Sequence, residues 1–217
     1  MTELLLKAGT SYLLGSIIGS LLLARLTGGA DIRSLGSGNA GATNALRTQG
    51  RKFAFWVLLI DLGKGWIATG RIAPAPLALV GLGPVPGLQE WSVPVCGIAV
   101  MLGHVYPLWF GFRGGKGVAT LVGAVLGISA WLLAPMVLTW LIAVMLFGFV
   151  GLASILGAIA LAVAIAVRNL GVPLLAFASA AALLILFTHR SNLARMRAGT
   201  ENRAQRLWLL RPRRRQA

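Results

Sequence analysis

The sequence predicts an all-α, polytopic membrane protein with seven transmembrane helices, its N-terminus outside and its C-terminus cytoplasmic. Three observations carry this. Of the 217 residues, 57% are hydrophobic and 12% are charged, about half the charge of a soluble domain. Apolar runs near the roughly 20 residues needed to cross a bilayer recur along the chain. A spanning chain must satisfy its own backbone hydrogen bonds, and the alternating short strands of a barrel are missing, so the runs read as helices. Finally, 20 Lys+Arg stand against 5 Asp+Glu, and their placement between the runs orients the chain by the positive-inside rule. On a soluble protein a net charge of +15 would point to nucleic acid. Here it points to topology and to contact with anionic lipid or substrate, with no nucleic-acid partner.

The elements follow in order. The first run covers residues 4–24. Glu3 and Lys7 cancel at its start while Arg25 and Arg33 follow it, so it reads as a retained helix rather than a secretory leader. The second covers 53–72. Residues 73–90 hold Pro74, Pro76, Pro84 and Pro86 and read as an external loop or short re-entrant element. The third helix covers 91–110 and leads into the basic turn "GFRGGKG", 111–117. Nine Arg and one Glu follow His189, which puts the C-terminal segment on the same inner side. An even number of crossings must therefore lie between 117 and 189. One is 172–188, after the break "RNLGVP" at 168–173. The stretch 118–167 must then hold an odd number, and three short helices, broken near Pro135 and 148–151, fit it. Residues 1–203 form the helical domain, and 204–217 a basic cytoplasmic tail whose last part, 207–217, lies on anionic lipid or is disordered.

Several residues inside the runs need a reason. Cys96 is the only cysteine, so no disulfide forms within the chain, no Cys/His metal cluster is available, and a buried inert thiol is expected. Asp61 and Lys64 lie one turn apart and read as a buried pair holding the site. His104, at a helix end, reads as structural.

This topology puts three polar segments, 25–52, 111–117 and 189–203, on one face. They supply Gly-rich backbone, amides, hydroxyls, Arg, Lys and His, with Asp31 and Glu201 as their only carboxylates. Such a set suits an anion, most simply phosphate: backbone N–H groups of Gly-rich turns point at its oxygens, Arg grips them with a planar fork and Lys as a point charge. A divalent metal would need oxygen ligands the chain does not have. The "GGKG" turn is not a nucleotide-binding P-loop, because Gly117 stands where Ser or Thr is required. The His-plus-four-residues-plus-Asp acyltransferase pattern fails at both His104 and His189, which meet Trp109 and Ala194 at that spacing. An anion transporter is the alternative; it would hold its polar site near the midplane on broken helices, not at one face.

Three stretches, "GSGNAGATNALR" (36–47), "GHVYPLWFGFRGGKGVAT" (103–120) and "HRSNLARMRAGTE" (189–201), resemble the three cytoplasmic motifs of the bacterial acyl-phosphate:glycerol-3-phosphate acyltransferases, the PlsY family. "DLGKG" (61–65) resembles that family's second helix, and the likeness runs from about Leu13 to Arg203. It implies seven helices, a cytoplasmic-face site in the bacterial inner membrane, and transfer of an acyl group from acyl-phosphate to the 1-hydroxyl of glycerol-3-phosphate, giving lysophosphatidic acid. It implies no cofactor, and neither coenzyme A nor an acyl carrier protein as direct donor. Carried over residue by residue, the resemblance assigns Ser37, Asn39, Thr43, Asn44 and Arg47 from the first motif and Lys116 from the second. The third gives His189, Arg190, Asn192, Arg195, Gly199 and Glu201. Ser37, Arg47, Lys116, His189 and Asn192 are the expected catalytic set. The expected substrate-binding set is Gly36, Gly38, Asn39, Thr43, Asn44, Gly114, Gly115, Arg190, Arg195 and Glu201, with the backbone around Gly36, Gly38 and Gly41 cradling phosphate. The base would be His189 or a phosphate oxygen of the substrate.

Overall fold

The computed structural model describes residues 1–76, 87–205 and 207–210, which are helical with no strand among them. The helices are α1 (Thr2–Gly15), α2 (Gly19–Thr27), α3 (Ala42–Thr48), α4 (Arg51–Ile67), α5 (Ser92–Val105), α6 (Val118–Ile128), α7 (Leu133–Phe147), α8 (Val150–Val167), α9 (Val172–Thr188) and α10 (Arg190–Arg197). Four continuous segments are long and apolar enough to cross a membrane: Arg51–Ile72, Gln89–Phe110, Ala130–Phe147 and Val150–Val167. Two further candidates are bent pairs, α1 with α2 at 49° and α9 with α10 at 50°. Helix α6 is apolar but has only 11 residues, about 16 Å at 1.5 Å per residue.

The first run is thus not one straight helix. It breaks at Ser16–Ile18, where Ile18 is extended. The break strands the last carbonyls of α1 and the first amides of α2, groups that a buried helix end must satisfy from elsewhere. Residues of α4 do this. Lys64 Nζ donates to the carbonyls of Gly15 (2.9 Å) and Ile17 (2.7 Å), and Asp61 Oδ1 accepts from the Gly19 amide at 3.3 Å. The ammonium faces the negative end of α1 and the carboxylate the positive end of α2.

Residues 118–167 do hold three helices, α6, α7 and α8, but the first break is displaced. It falls at Ser129, extended at φ −168°, ψ 128°, because Pro135 sits in the first turn of α7, where a missing N–H has no helical partner to lose. The second break is Gly148, at φ +76°, a left-handed conformation that ends α7.

The helices meet through small residues, which let backbones approach without lipid between them. Gly103 of α5 lies on Tyr12 and Gly15 of α1, and Gly123 of α6 lies on Leu62 of α4, where a Cβ would collide with the Leu62 carbonyl. The largest apolar cluster joins α5, α6, α8 and α9 around Met101, Leu121, Leu161 and Phe177, with Cys96 buried nearby in sequence.

Most of the expected proline-rich external loop, 77–86, lies outside the described residues, as do 206 and 211–217 of the tail. The part of the tail that is described, 204–205 and 207–210, folds back on the α7–α8 turn instead of lying free.

Candidate active site

The first polar loop is built around Asn44. Its Oδ1 accepts from the Ser37 amide at 2.9 Å, and its Nδ2 donates to the carbonyls of Leu35 (2.9 Å) and Ile32 (3.2 Å). One buried amide thus replaces the ladder bonds this loop cannot make. Gly36 and Gly38 have φ of +56° and +71°, the turn that brings Ser37 round to face α3. Ser20 ties the loop to α2 by donating to Ala40 O at 2.6 Å. Arg33, paired with Asp31, donates to the carbonyls of Phe110 (2.8 Å) and Arg113 (3.0 Å) and so clamps the first loop to the second.

The second loop is pinned over the end of α5. The Gly114 amide donates to Val105 O and the Gly115 amide to His104 O. A Cβ on Gly114 would run into His104 O and one on Gly115 into the His104 ring, so this turn requires small residues. Thr188 of α9 donates to Lys116 O at 3.1 Å, which aims the Lys116 side chain at the third segment.

There a polar chain crosses the site. Lys116 Nζ donates to Asn192 Oδ1. Asn192 Nδ2 donates to Glu201 Oε1, and Arg195 Nε to Glu201 Oε2, each at 2.6 Å. His189 Nδ1 lies 2.8 Å from the Ile185 carbonyl, a contact that requires Nδ1–H and leaves Nε2 with the free lone pair.

These groups share the wall of one cavity of about 370 Å³. Ser37, Asn39, Thr43, Asn44, Arg47, Lys116, His189, Asn192, Arg195 and Glu201 contribute to its polar lining. Leu58 and Leu62 of α4, Val118 and Val122 of α6, Met136, Val137 and Trp140 of α7 and Val150 of α8 line the rest. Burial first, then repulsion from Arg195 and Arg47 against the pull of Glu201, brings the Lys116 ammonium down to about 8. Burial pushes His189 down to about 4, so its ring is neutral near pH 7.

Of the expected residues, Gly36 and Gly38 shape the first turn without lining the cavity, and Gly114 and Gly115 sit behind it against His104. Arg190 turns away: its Nη1 donates to Phe187 O at 3.1 Å and its guanidinium covers the Phe187 ring. Asp61 and His104 line the cavity too; His104 Nδ1 lies 3.5 Å from Asp61 Oδ1, and Asp61 Oδ2 is buried without a hydrogen-bond partner. The apolar wall was not foreseen, because Leu, Val, Met and Trp in a membrane run look the same whether they face a core or a cavity.

The chain that forms this cavity, lined by both cationic and apolar side chains, is similar to a family of known proteins. The family model for glycerol-3-phosphate acyltransferase matches residues 5–199. The chain belongs to the glycerol-3-phosphate acyltransferase family. It is 39% identical to the glycerol-3-phosphate acyltransferase of Chromobacterium violaceum over 195 residues, 89% of this chain and 91% of that protein. It superposes with a TM-score of 0.80, at 36% identity, on the crystal structure of PlsY, an integral membrane glycerol 3-phosphate acyltransferase, in its glycerol 3-phosphate form, covering 92% of this chain and 94% of that one. The lysophosphatidic acid form of PlsY gives a TM-score of 0.80 at 35% identity, covering 94% and 97%. The protein is therefore a multi-pass bacterial membrane acyltransferase of this family, and the three motifs that carried the resemblance converge on its cavity.

Proposed function

We propose that this acyltransferase moves an acyl group from acyl-phosphate to the 1-hydroxyl of sn-glycerol-3-phosphate, releasing lysophosphatidic acid and inorganic phosphate, at the cytoplasmic face of the inner membrane. The observation that carries this is the union of phosphate-suited polar groups and apolar side chains in the lining of one cavity. Both substrates bear phosphate, and one also bears a chain that only apolar side chains can accommodate. Arg47, Lys116 and Arg195 supply three cations, enough to neutralise two phosphoryl groups in part, and Ser37, Asn39 and Thr43 supply neutral donors beside them.

The chemistry needs little from the protein beyond position. Acyl-phosphate is a mixed anhydride with phosphate as leaving group. The glycerol-3-phosphate hydroxyl attacks the carbonyl carbon, the bond from that carbon to the phosphate oxygen breaks, and the hydroxyl proton leaves with an acceptor. A ring brought down to about 4 is a weak acceptor, whereas the phosphate oxygen on which the bond breaks gains a full negative charge as it departs. Phosphate oxygen therefore takes the proton, and His189 Nε2 orients the hydroxyl. Holding the reactants together and stabilising the developing oxyanion carry the rate.

Seven crossings follow if each bent pair and the short α6 count once, and the basic segments 25–52, 111–117 and 189–203 then share the inner face. The test is turnover of palmitoyl-phosphate and glycerol-3-phosphate by the purified protein, without coenzyme A or added metal. Lysophosphatidic acid and phosphate in equal amounts support the reading; turnover only with palmitoyl-coenzyme A overturns it.

A further inference from the structure

Glu201 is the carboxylate on which the third polar segment closes, yet it lies in no helix. Helix α10 ends at Arg197, the chain reverses at Gly199 (φ +71°), and residues 201–204 have no regular structure. Asn192 and Arg195 of α10 grip the Glu201 carboxylate, and the chain that follows it, beyond residue 199 where the family match stops, is anchored further along. The Ala204 amide donates to Gly148 O at 2.7 Å and the Leu209 amide to Met145 O at 3.0 Å, while Trp208 Nε1 donates to Leu146 O at 3.1 Å. All three acceptors are carbonyls at the end of α7, which have no partner within their own helix. The Arg203 guanidinium is sandwiched 4.5 Å from the Phe149 ring and 4.0 Å from the Trp208 ring, a cation between two aromatic faces. The Trp208 ring lies where Gly148 lacks a side chain.

The same turn reaches the cavity from the other side. Val150 and Gly151 line it, and Gly151 packs against Asn192, the residue bridging Lys116 and Glu201. The anchor begins two residues after Glu201, too few for the carboxylate to move far while it holds.

We propose that Arg203 and Trp208 form a clasp on the α7–α8 turn that holds Glu201 in the cavity wall, so that both are positioning residues for the transfer reaction. The role in turnover rests on the functional reading above; the clasp itself does not. Without it, Glu201 swings out, Asn192 and Arg195 lose their common acceptor, and Lys116 loses the oriented amide it donates to.

The test uses the full chain in lipid nanodiscs with palmitoyl-phosphate and glycerol-3-phosphate. Arg203→Ala and Trp208→Ala should each lower kcat about tenfold, a coupling of ordinary size, while Arg203→Lys, which keeps a cation between the rings, stays within about threefold. In a Glu201→Ala background Arg203→Ala should add less than about twofold, because it acts through that carboxylate. Wild-type rates in both alanine variants, or losses that multiply with Glu201→Ala, would overturn the positioning role. Amide exchange reads the clasp without activity: Arg203→Ala must speed exchange at residues 200–204, and unchanged exchange there overturns it. Inactive wild-type protein with intact exchange effects would count against the functional reading alone.

Discussion

Asp61 and Lys64, one turn apart on α4 and 3.1 Å from each other, close opposite sides of the break between α1 and α2. Lys64 takes the stranded carbonyls of α1, and Asp61 takes the first amide of α2. The bend they stabilise sends α2 towards the first polar loop. Removing one partner leaves a buried charge and orphaned backbone, so Asp61→Leu or Lys64→Met should each cost about 3–5 kcal/mol. The double variant should cost less than the sum of the two, because no unpaired charge remains. Thermal unfolding in detergent checks this, and strictly additive losses would show that the pair does not act as one unit.

The cations of the cavity should divide by direction. Arg47→Ala and Lys116→Ala should each lower kcat/KM for glycerol-3-phosphate by about a hundredfold or more, since each removes a charged donor from a water-poor anion site. Lys116→Arg should also lose activity, because a flat fork does not reproduce a compact ammonium held by Asn192. Arg190→Ala should cost less than about tenfold, its guanidinium being spent on Phe187. A severe loss in Arg190→Ala with full activity in Lys116→Ala would relocate the phosphate site.

The pH profile follows from Lys116, which burial and the neighbouring Arg195 and Arg47 bring down to about 8 against the pull of Glu201. Only the protonated ammonium brings a positive charge to phosphate. The value of kcat/KM, which reports the free enzyme, should therefore hold below that point and fall as pH rises through about 8. Residual activity in Lys116→Arg should lack this alkaline limb, because guanidinium stays charged. The same limb in both proteins would assign it to another group.

Orientation is open to labelling. In a Cys96→Ala background, a cysteine at Ser34 or Arg113 should react from the cytoplasmic side only, and one at Gln89 from the opposite side only, as the Lys and Arg distribution requires. Reaction of the Ser34 position from outside would rule out seven crossings with an outer N-terminus.

Much of the site was legible because its motifs are local: Ser37 to Arg47, Gly114 to Lys116 and His189 to Glu201 each arrive as a block, and the structure gathers the blocks in one cavity. The helix count within 118–167 was legible from length, and Gly148 from its backbone freedom. What was not legible depends on distant partners. Nothing in "GSIIG" itself ends a helix in the first run; the break needs two residues of α4 some forty-five positions away. Asn44 looks like a substrate ligand by motif, but its amide is committed to the loop backbone. Arg190 shares a motif with Arg195 and points elsewhere. The tail reads as a charge run until Trp208 and Arg203 meet a turn far up the chain.

The central claim is that both substrates occupy the cavity together and that the acyl group passes directly between them. A covalent route needs a nucleophile activated by an oriented base; Ser37 has its amide on Asn44, and His189 holds a carbonyl where a triad would hold a carboxylate. The deciding measurement is the initial rate of phosphate release over a matrix of palmitoyl-phosphate and glycerol-3-phosphate concentrations. Direct transfer predicts double-reciprocal lines that intersect. Parallel lines, with phosphate released in a burst from palmitoyl-phosphate alone, would contradict it.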